Sequence, residues 1–156
     1  MPEPAVGDPA PGFTLPGTDD REYSLAAYLG QPVVLVFYPG DDTPVCTMQL
    51  RSYSEGMAAF DQLGAQVLAI SPQDVSSHER FARANGLRMP LLADCGKKVG
   101  ELYGILGPLG FYRRSVFVVD ACGVVRFARR SLSSLTYIDA GRLVDAVKQA
   151  QVSEPG

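Results

Sequence analysis

Cys46 closes the stretch Tyr38-Pro39-Gly40-Asp41-Asp42-Thr43-Pro44-Val45-Cys46, a polar turn pinned by Pro39 and Pro44. The apolar run Val33-Val34-Leu35-Val36-Phe37 precedes it, and Leu50, Tyr53, Met57 and Phe60 follow at the three- and four-residue spacing of one helical face. The order is strand, turn, helix, with the thiol at the helix start. Unpaired backbone N–H groups and the positive end of the helix dipole stabilise a thiolate there. An ordinary free thiol, with a pKa near ~8.5, is mostly un-ionised at neutral pH. Cysteine is often no more than a small buried hydrophobe, but the Asp, Thr and Pro neighbours of Cys46 argue for a reactive nucleophile.

Other chemistries of cysteine fit less well. A cysteine hydrolase needs a histidine base beside the thiol. The single histidine, His78, sits on a helix among polar residues and reads as a solvated surface side chain. A dithiol oxidoreductase needs Cys-x-x-Cys, and here Met48 and Gln49 follow Cys46. No cluster of Cys, His and carboxylates has metal-ligand spacing, so neither metal nor cofactor is expected.

The chain of 156 residues, 46% hydrophobic and 20% charged, has the size and balance of one globular domain spanning residues 1–156. Its net charge is −3 and its basic residues are scattered, so no nucleic-acid or anionic-membrane surface is expected. The first residues lack the basic start and apolar core of a secretory signal, and no apolar stretch approaches the ~20 residues of a membrane span. A cytoplasmic location follows as the expectation. An odd cysteine count, three, argues against a disulfide framework.

The elements that must position Cys46 follow from hydrophobic pattern and turn chemistry. Pro2, Pro4, Pro9 and Pro11 make residues 2–12 an extended leader. Phe13-Thr14-Leu15 and Tyr23-Ser24-Leu25 form a small hairpin, followed by a helical turn ended by Gly30. The run 33–37 lacks polar alternation, as in a central strand covered on both faces, and Gln66–Ser71 is a second such strand. Strand, helix, strand is a right-handed βαβ unit. Another helix opens at Ser76 and closes at Gly86. Met89–Ala93 is a third strand, placed at the sheet edge because it is short and contains Pro90. A brief helix over Lys97–Tyr103 precedes an apolar loop, Leu106–Tyr112. A hairpin then pairs Ser115–Val119 with Val124–Ala128 across Asp120-Ala121-Cys122-Gly123. Thr136 with Asp139 is a capping box for a last helix whose Leu143, Val144 and Val147 face the core. The fold class is α/β: a thioredoxin-like sandwich, a central mixed sheet flanked by helices, with a short N-terminal hairpin.

The motifs resemble the peroxiredoxins. Phe37-Tyr38-Pro39, Thr43-Pro44-Val45-Cys46-Thr47, Ile70-Ser71-Pro72, Ser77-His78, Phe81-Ala82, Pro90-Leu91-Leu92-Ala93-Asp94 and Arg114-Ser115-Val116 together are similar to the bacterioferritin-comigratory, or peroxiredoxin Q, branch. The similarity runs from about Val6 to Val125. It implies a thiol peroxidase that reduces hydrogen peroxide and organic hydroperoxides through a cysteine sulfenic acid, recycled by thioredoxin or another thiol donor. It makes Cys46 the peroxidatic cysteine, Thr43 the hydroxyl on thiolate and substrate, Arg114 the cation that favours the thiolate, and Pro39 the lid. Topology supports Arg114 independently. A strand antiparallel to the central one begins where the central one ends. Arg113 should point away from the site, and Arg113, Arg129 and Arg130 read as surface charges.

Two departures from that branch concern the second thiol. Many members place a cysteine five residues after the first, where this chain has Arg51, and commonly have glycine where this chain has Val45. A β-branched residue stiffens the turn. Cys95 follows the third parallel strand at the same sheet edge as Cys46. Cys122 sits at the far end of the hairpin strand and reads as an incidental thiol. Two outcomes stay open: Cys95 resolves Cys46, or an external thiol does so alone. A monomer or weak homodimer is expected, with Leu106–Tyr112 as a pocket rim or a contact. The rival from another class is a non-catalytic redox sensor or holdase on the same fold; intact Thr43 and Arg114 speak for turnover.

Overall fold

In the computed structural model, which describes residues 3–131 and 136–153, strands β1 (Thr14–Gly17), β2 (Arg21–Ser24), β3 (Val33–Phe37), β4 (Gln66–Ser71), β5 (Leu91–Ala93), β6 (Ser115–Val119) and β7 (Val125–Arg130) form one sheet. Its order is β2-β1-β5-β4-β3-β6-β7. Strands β3, β4 and β5 run parallel, and β6 lies antiparallel to β3. Helices α1 (Pro44–Glu55), α2 (Met57–Gln62), α3 (Val75–Asn85), α4 (Lys98–Leu102) and α5 (Ala140–Ser153) flank it.

The unbroken apolar run becomes the middle of the sheet because both its faces are covered. Val34 and Val36 join Leu50, Tyr53, Phe60, Leu143 and Val147 in one core. Val33, Leu35 and Phe37 turn the opposite way, as strand alternation requires, into a second core with Tyr103 and Phe117. Phe37 is wholly buried there, its ring 5.2 Å from that of Tyr103 and 5.7 Å from that of Phe117. Burying a side chain of that size contributes about 1.5–3 kcal/mol.

The third strand differs from expectation. β5 is an interior strand, between β4 and β1, rather than an edge. Pro90 lies just before the strand, so its missing N–H removes no ladder bond, and its carbonyl accepts from the Ala69 N–H at 3.1 Å. The N-terminal hairpin then covers the outer side, with Gly17 opposite Leu92. The fit is close: a Cβ on Gly17 would stand 2.8 Å from the Leu91 carbonyl oxygen.

The helix after Cys46 is broken by Gly56 into α1 and α2. The last helix begins later than the expected capping box. Asp139 Oδ1 accepts from the Arg142 N–H at 2.8 Å and so caps α5 itself, while Thr136 lies outside the helix. Asp139→Ala should lower unfolding free energy by about 1 kcal/mol, read from the urea midpoint.

The leader is extended and tied down. The Gly7 N–H donates to the Val125 carbonyl at 2.8 Å and the Val125 N–H to the Asp8 carbonyl at 2.9 Å. Arg130 corrects the surface-charge expectation. It is half-buried, its guanidinium donates to the Tyr103 and Pro4 carbonyls, and it stands 4.9 Å over the Phe117 ring. Arg113 likewise donates to the Ser131 and Arg130 carbonyls, and Arg129 is exposed.

Candidate active site

β3 ends at Phe37, and the Tyr38 N–H still donates to the Ile70 carbonyl at 3.0 Å, which aims the following turn off the end of the sheet. Asp42 takes a left-handed conformation, φ +64°, one that aspartate tolerates better than most residues. Thr43 is then the extended N-cap residue and Pro44 the first helical position, where a missing N–H costs nothing. Cys46 falls within the first turn, among backbone N–H groups that lack intrahelical acceptors. It is wholly buried beside Val34, Val36, Tyr38 and Leu50.

Thr43 is exposed, and its hydroxyl donates to the Gly40 carbonyl at 3.1 Å. Its carbonyl accepts from the Thr47 N–H and hydroxyl at 2.9 and 2.7 Å, which fixes the first turn. Pro39 is half-buried at the start of the same turn.

The arginine arrives as topology requires. β3 and β6 pair with Phe37 opposite Ser115, so Tyr38 and Arg114 are the next residues at that end. Arg114 is 3% exposed, and its Nη1 donates to Gln49 Oε1 at 2.6 Å. Gln49 Nε2 in turn donates to the Tyr53 hydroxyl at 3.2 Å, and that hydroxyl donates to the Ile138 carbonyl. Gln49 stands one helical turn after Cys46, so this chain of bonds holds a buried cation against the helix that carries the thiol. Burial pushes the Tyr53 hydroxyl up to about 12, which keeps it a neutral donor. Gln49 and Tyr53 were not singled out for chemistry in the sequence. The signal was two polar groups on the apolar stripe at three and seven residues beyond Cys46.

His78 overturns its expected role. It is wholly buried rather than solvated. Its Nδ1 lies 2.7 Å from Asp41 Oδ2 and its Nε2 lies 3.0 Å from the Leu92 carbonyl oxygen. Asp41 also accepts from the Tyr38 hydroxyl and the Ser77 hydroxyl, each at 2.7 Å, and its N–H donates to Gln73 Oε1. The physical cause is helical phase: His78 precedes buried Phe81 by three residues and shares its face.

Burial pushes the Asp41 carboxyl up, but hydrogen bonds from His78, Ser77 and Tyr38 outweigh it and leave its pKa below the usual value. A depressed folded-state value means the stabilisation is complete above the unfolded carboxylate value near ~3.9 and is lost as pH falls through the folded one. Urea midpoints should therefore fall more steeply below about pH 4 in the wild type than in Asp41→Asn.

Cys95 and Cys122 are both exposed, and all three cysteines are free. Cys95 follows β5, two strands from β3 at the same sheet end, with its Sγ 3.8 Å from the Gln73 carbonyl oxygen. Cys122 lies in the turn between β6 and β7, at the opposite end. A groove of about 430 Å³ runs beside α1, lined by Pro44, Thr47, Met48, Arg51, Glu55 and Tyr137 among others. The loop before β6 carries exposed Leu109 and Phe111. Among the described residues, no group of three or more His, Cys, Asp or Glu is placed to hold a metal ion, and no helix is long and apolar enough to cross a membrane.

A thioredoxin-like sandwich with a cysteine in the first turn after the central strand, and a buried arginine from the antiparallel neighbour tied to that helix, is a peroxiredoxin architecture. The chain belongs to the AhpC/TSA family, whose model matches residues 6–128. It is 39% identical to the chloroplastic peroxiredoxin Q of Oryza sativa subsp. japonica over 78% of this chain, and spans 57% of that protein's length. It superposes on the bacterioferritin comigratory protein of Xanthomonas campestris, whose alkyl peroxide reduction activity has been studied structurally, with a TM-score of 0.81 at 26% identity, covering 88% of this chain and 90% of that one. Against peroxidoxin BcpB of Mycobacterium tuberculosis the TM-score is 0.83 at 26% identity, covering 98% and 100%.

Proposed function

We propose that this protein is a thiol peroxidase reducing hydrogen peroxide and organic hydroperoxides. The observation that carries the reading is a buried thiol in the first turn of α1 with buried Arg114 bonded to Gln49, one turn further along. The Cys46 thiolate attacks the terminal peroxide oxygen. An S–O bond forms as the O–O bond breaks, and the sulfur becomes a sulfenic acid. The departing alkoxide, or hydroxide, takes a proton and leaves as an alcohol or water. Arg114 and the N-terminal backbone amides stabilise charge on the entering sulfur and the leaving oxygen, Thr43 holds the peroxide in line, and Pro39 limits solvent access.

We propose Cys95 as the resolving thiol, with an external thiol acting alone as the alternative. Its thiol condenses with the sulfenic acid, releasing water, and thioredoxin or a similar dithiol donor then reduces the disulfide. Two strand spacings of ~4.8 Å separate the elements by about 10 Å, beyond the ~7 Å between Cα atoms that a disulfide allows. The first turn of α1, or the loop that carries Cys95, must therefore open for the two to meet. Peptide mapping after one equivalent of peroxide should yield a Cys46–Cys95 cross-link; a persistent sulfenic acid or only mixed disulfides with the donor assigns resolution to the external thiol. Steady-state peroxide consumption with a thioredoxin system tests the activity, and wild-type protein without turnover refutes it. A reducing compartment such as the cytoplasm fits three free thiols.

A further inference from the structure

The buried cluster beneath the Cys46 turn has no part in the chemistry described so far. His78 meets acceptors at both ring nitrogens: the Asp41 carboxylate at Nδ1, 2.7 Å, and the Leu92 carbonyl of β5 at Nε2, 3.0 Å. The Tyr38 hydroxyl, 3.3 Å from Nδ1, donates its hydrogen bond to Asp41 Oδ1, so toward the ring it presents a lone pair. A neutral imidazole has one N–H and would leave either the carbonyl or the carboxylate against a bare nitrogen lone pair. Protonated at both nitrogens, the ring serves every acceptor it faces, and its charge is balanced by Asp41.

The loop is gripped through that same carboxylate. Tyr38 from the end of β3 and Ser77 from α3 donate to Asp41, and the Asp41 N–H is taken by Gln73. Asp41 lies midway between β3 and the first turn of α1, so lifting that turn at Asp41 breaks its buried 2.7 Å contact with His78 together with the bonds it accepts from Tyr38 and Ser77.

We propose that His78, as an imidazolium bridging the Leu92 carbonyl and Asp41, is a positioning residue that latches the segment 38–46 in the closed form in which Cys46 and Arg114 share one site. The consequence for turnover rests on the peroxidase reading; the latch itself does not. Loosening the latch favours the opened turn that a partner thiol needs, at the expense of the closed turn that peroxide needs.

His78 is the single histidine of the chain, so ring ¹⁵N labelling reports it alone. In the folded wild type near neutral pH both ring nitrogens should appear as N–H; one bare nitrogen overturns the proposal. This measurement stands even where a variant fails to fold. In folded His78→Gln and Asp41→Asn variants, amide exchange over residues 40–46 should accelerate. The second-order rate of Cys46 oxidation by hydrogen peroxide should fall on the order of 10²-fold, as expected for a misplaced reacting group. The double variant should fall no further than the worse single one, because the two act as one unit. Unchanged exchange in both variants, or additive losses of rate, overturns the latch. Wild-type protein inert toward peroxide removes the peroxidase reading, while the ring protonation and loop exchange still decide the latch.

Discussion

Cys46→Ser is expected to bring peroxide consumption down to the uncatalysed rate while leaving the fold in place. The substitution removes one sulfur from a site with no Cβ displacement. Serine's hydroxyl can donate within the first turn, as residues at helix N-termini commonly do. The loss is chemical, because an alkoxide is far harder to form than a thiolate and a serine oxygen does not take up oxygen from a peroxide. Stopped-flow oxidation and steady-state consumption should both read zero above background, with the circular dichroism spectrum and urea midpoint close to wild type. Retained turnover would move the nucleophile to Cys95 or Cys122, both exposed and neither on α1, the helix whose Gln49 accepts from Arg114.

Arg114→Met should cost on the order of 10²–10³-fold in the rate of Cys46 oxidation, the usual loss when a preorganised group facing developing charge is removed. The side chain is 3% exposed and acts in a water-poor environment, where a fixed charge is least screened. The change also deprives Gln49 Oε1 of its donor, which costs about 1–3 kcal/mol for an unsatisfied buried acceptor. The two effects separate in the pair Arg114→Met with Gln49→Leu: stability should recover in part and the rate should not. Arg114→Lys retains the charge but loses the fork that engages Gln49. Its rate should fall between the wild type and methionine. A methionine variant that oxidises as fast as wild type would refute the assignment.

The sequence carried the local parts of this site more fully than the distant ones. Val33–Phe37 and the spacing of Leu50 and Tyr53 are properties of short windows, and they placed Cys46 in the first turn of a helix. Arg114 was also legible, because one topological rule puts the start of β6 at the end of β3. β5 was misplaced since its neighbour is a hairpin some 75 residues earlier in the chain, and no short window around Pro90 contains that pairing. His78 failed for a related reason. A histidine among Ser, Glu and Arg looks solvated until Asp41 and Leu92, from two other elements, are brought against it. Its three-residue spacing to Phe81 was the cue that outweighed those neighbours. Thr136 and Asp139 show a smaller error, where either residue can cap and only the helix start decides.

The treatment of the two sheet borders bears on how copies of this chain can meet. β2 ends the sheet as a strand of four residues, with Arg21 and Glu22 exposed along it. At the other border, the leader takes hydrogen-bonding groups of Val125 and Gly123, and its prolines cannot pass a ladder on to another chain. The short, charged β2 and the proline-bearing leader over the start of β7 therefore oppose intermolecular strand addition at those points, the route by which open sheets recruit further sheets and grow without limit.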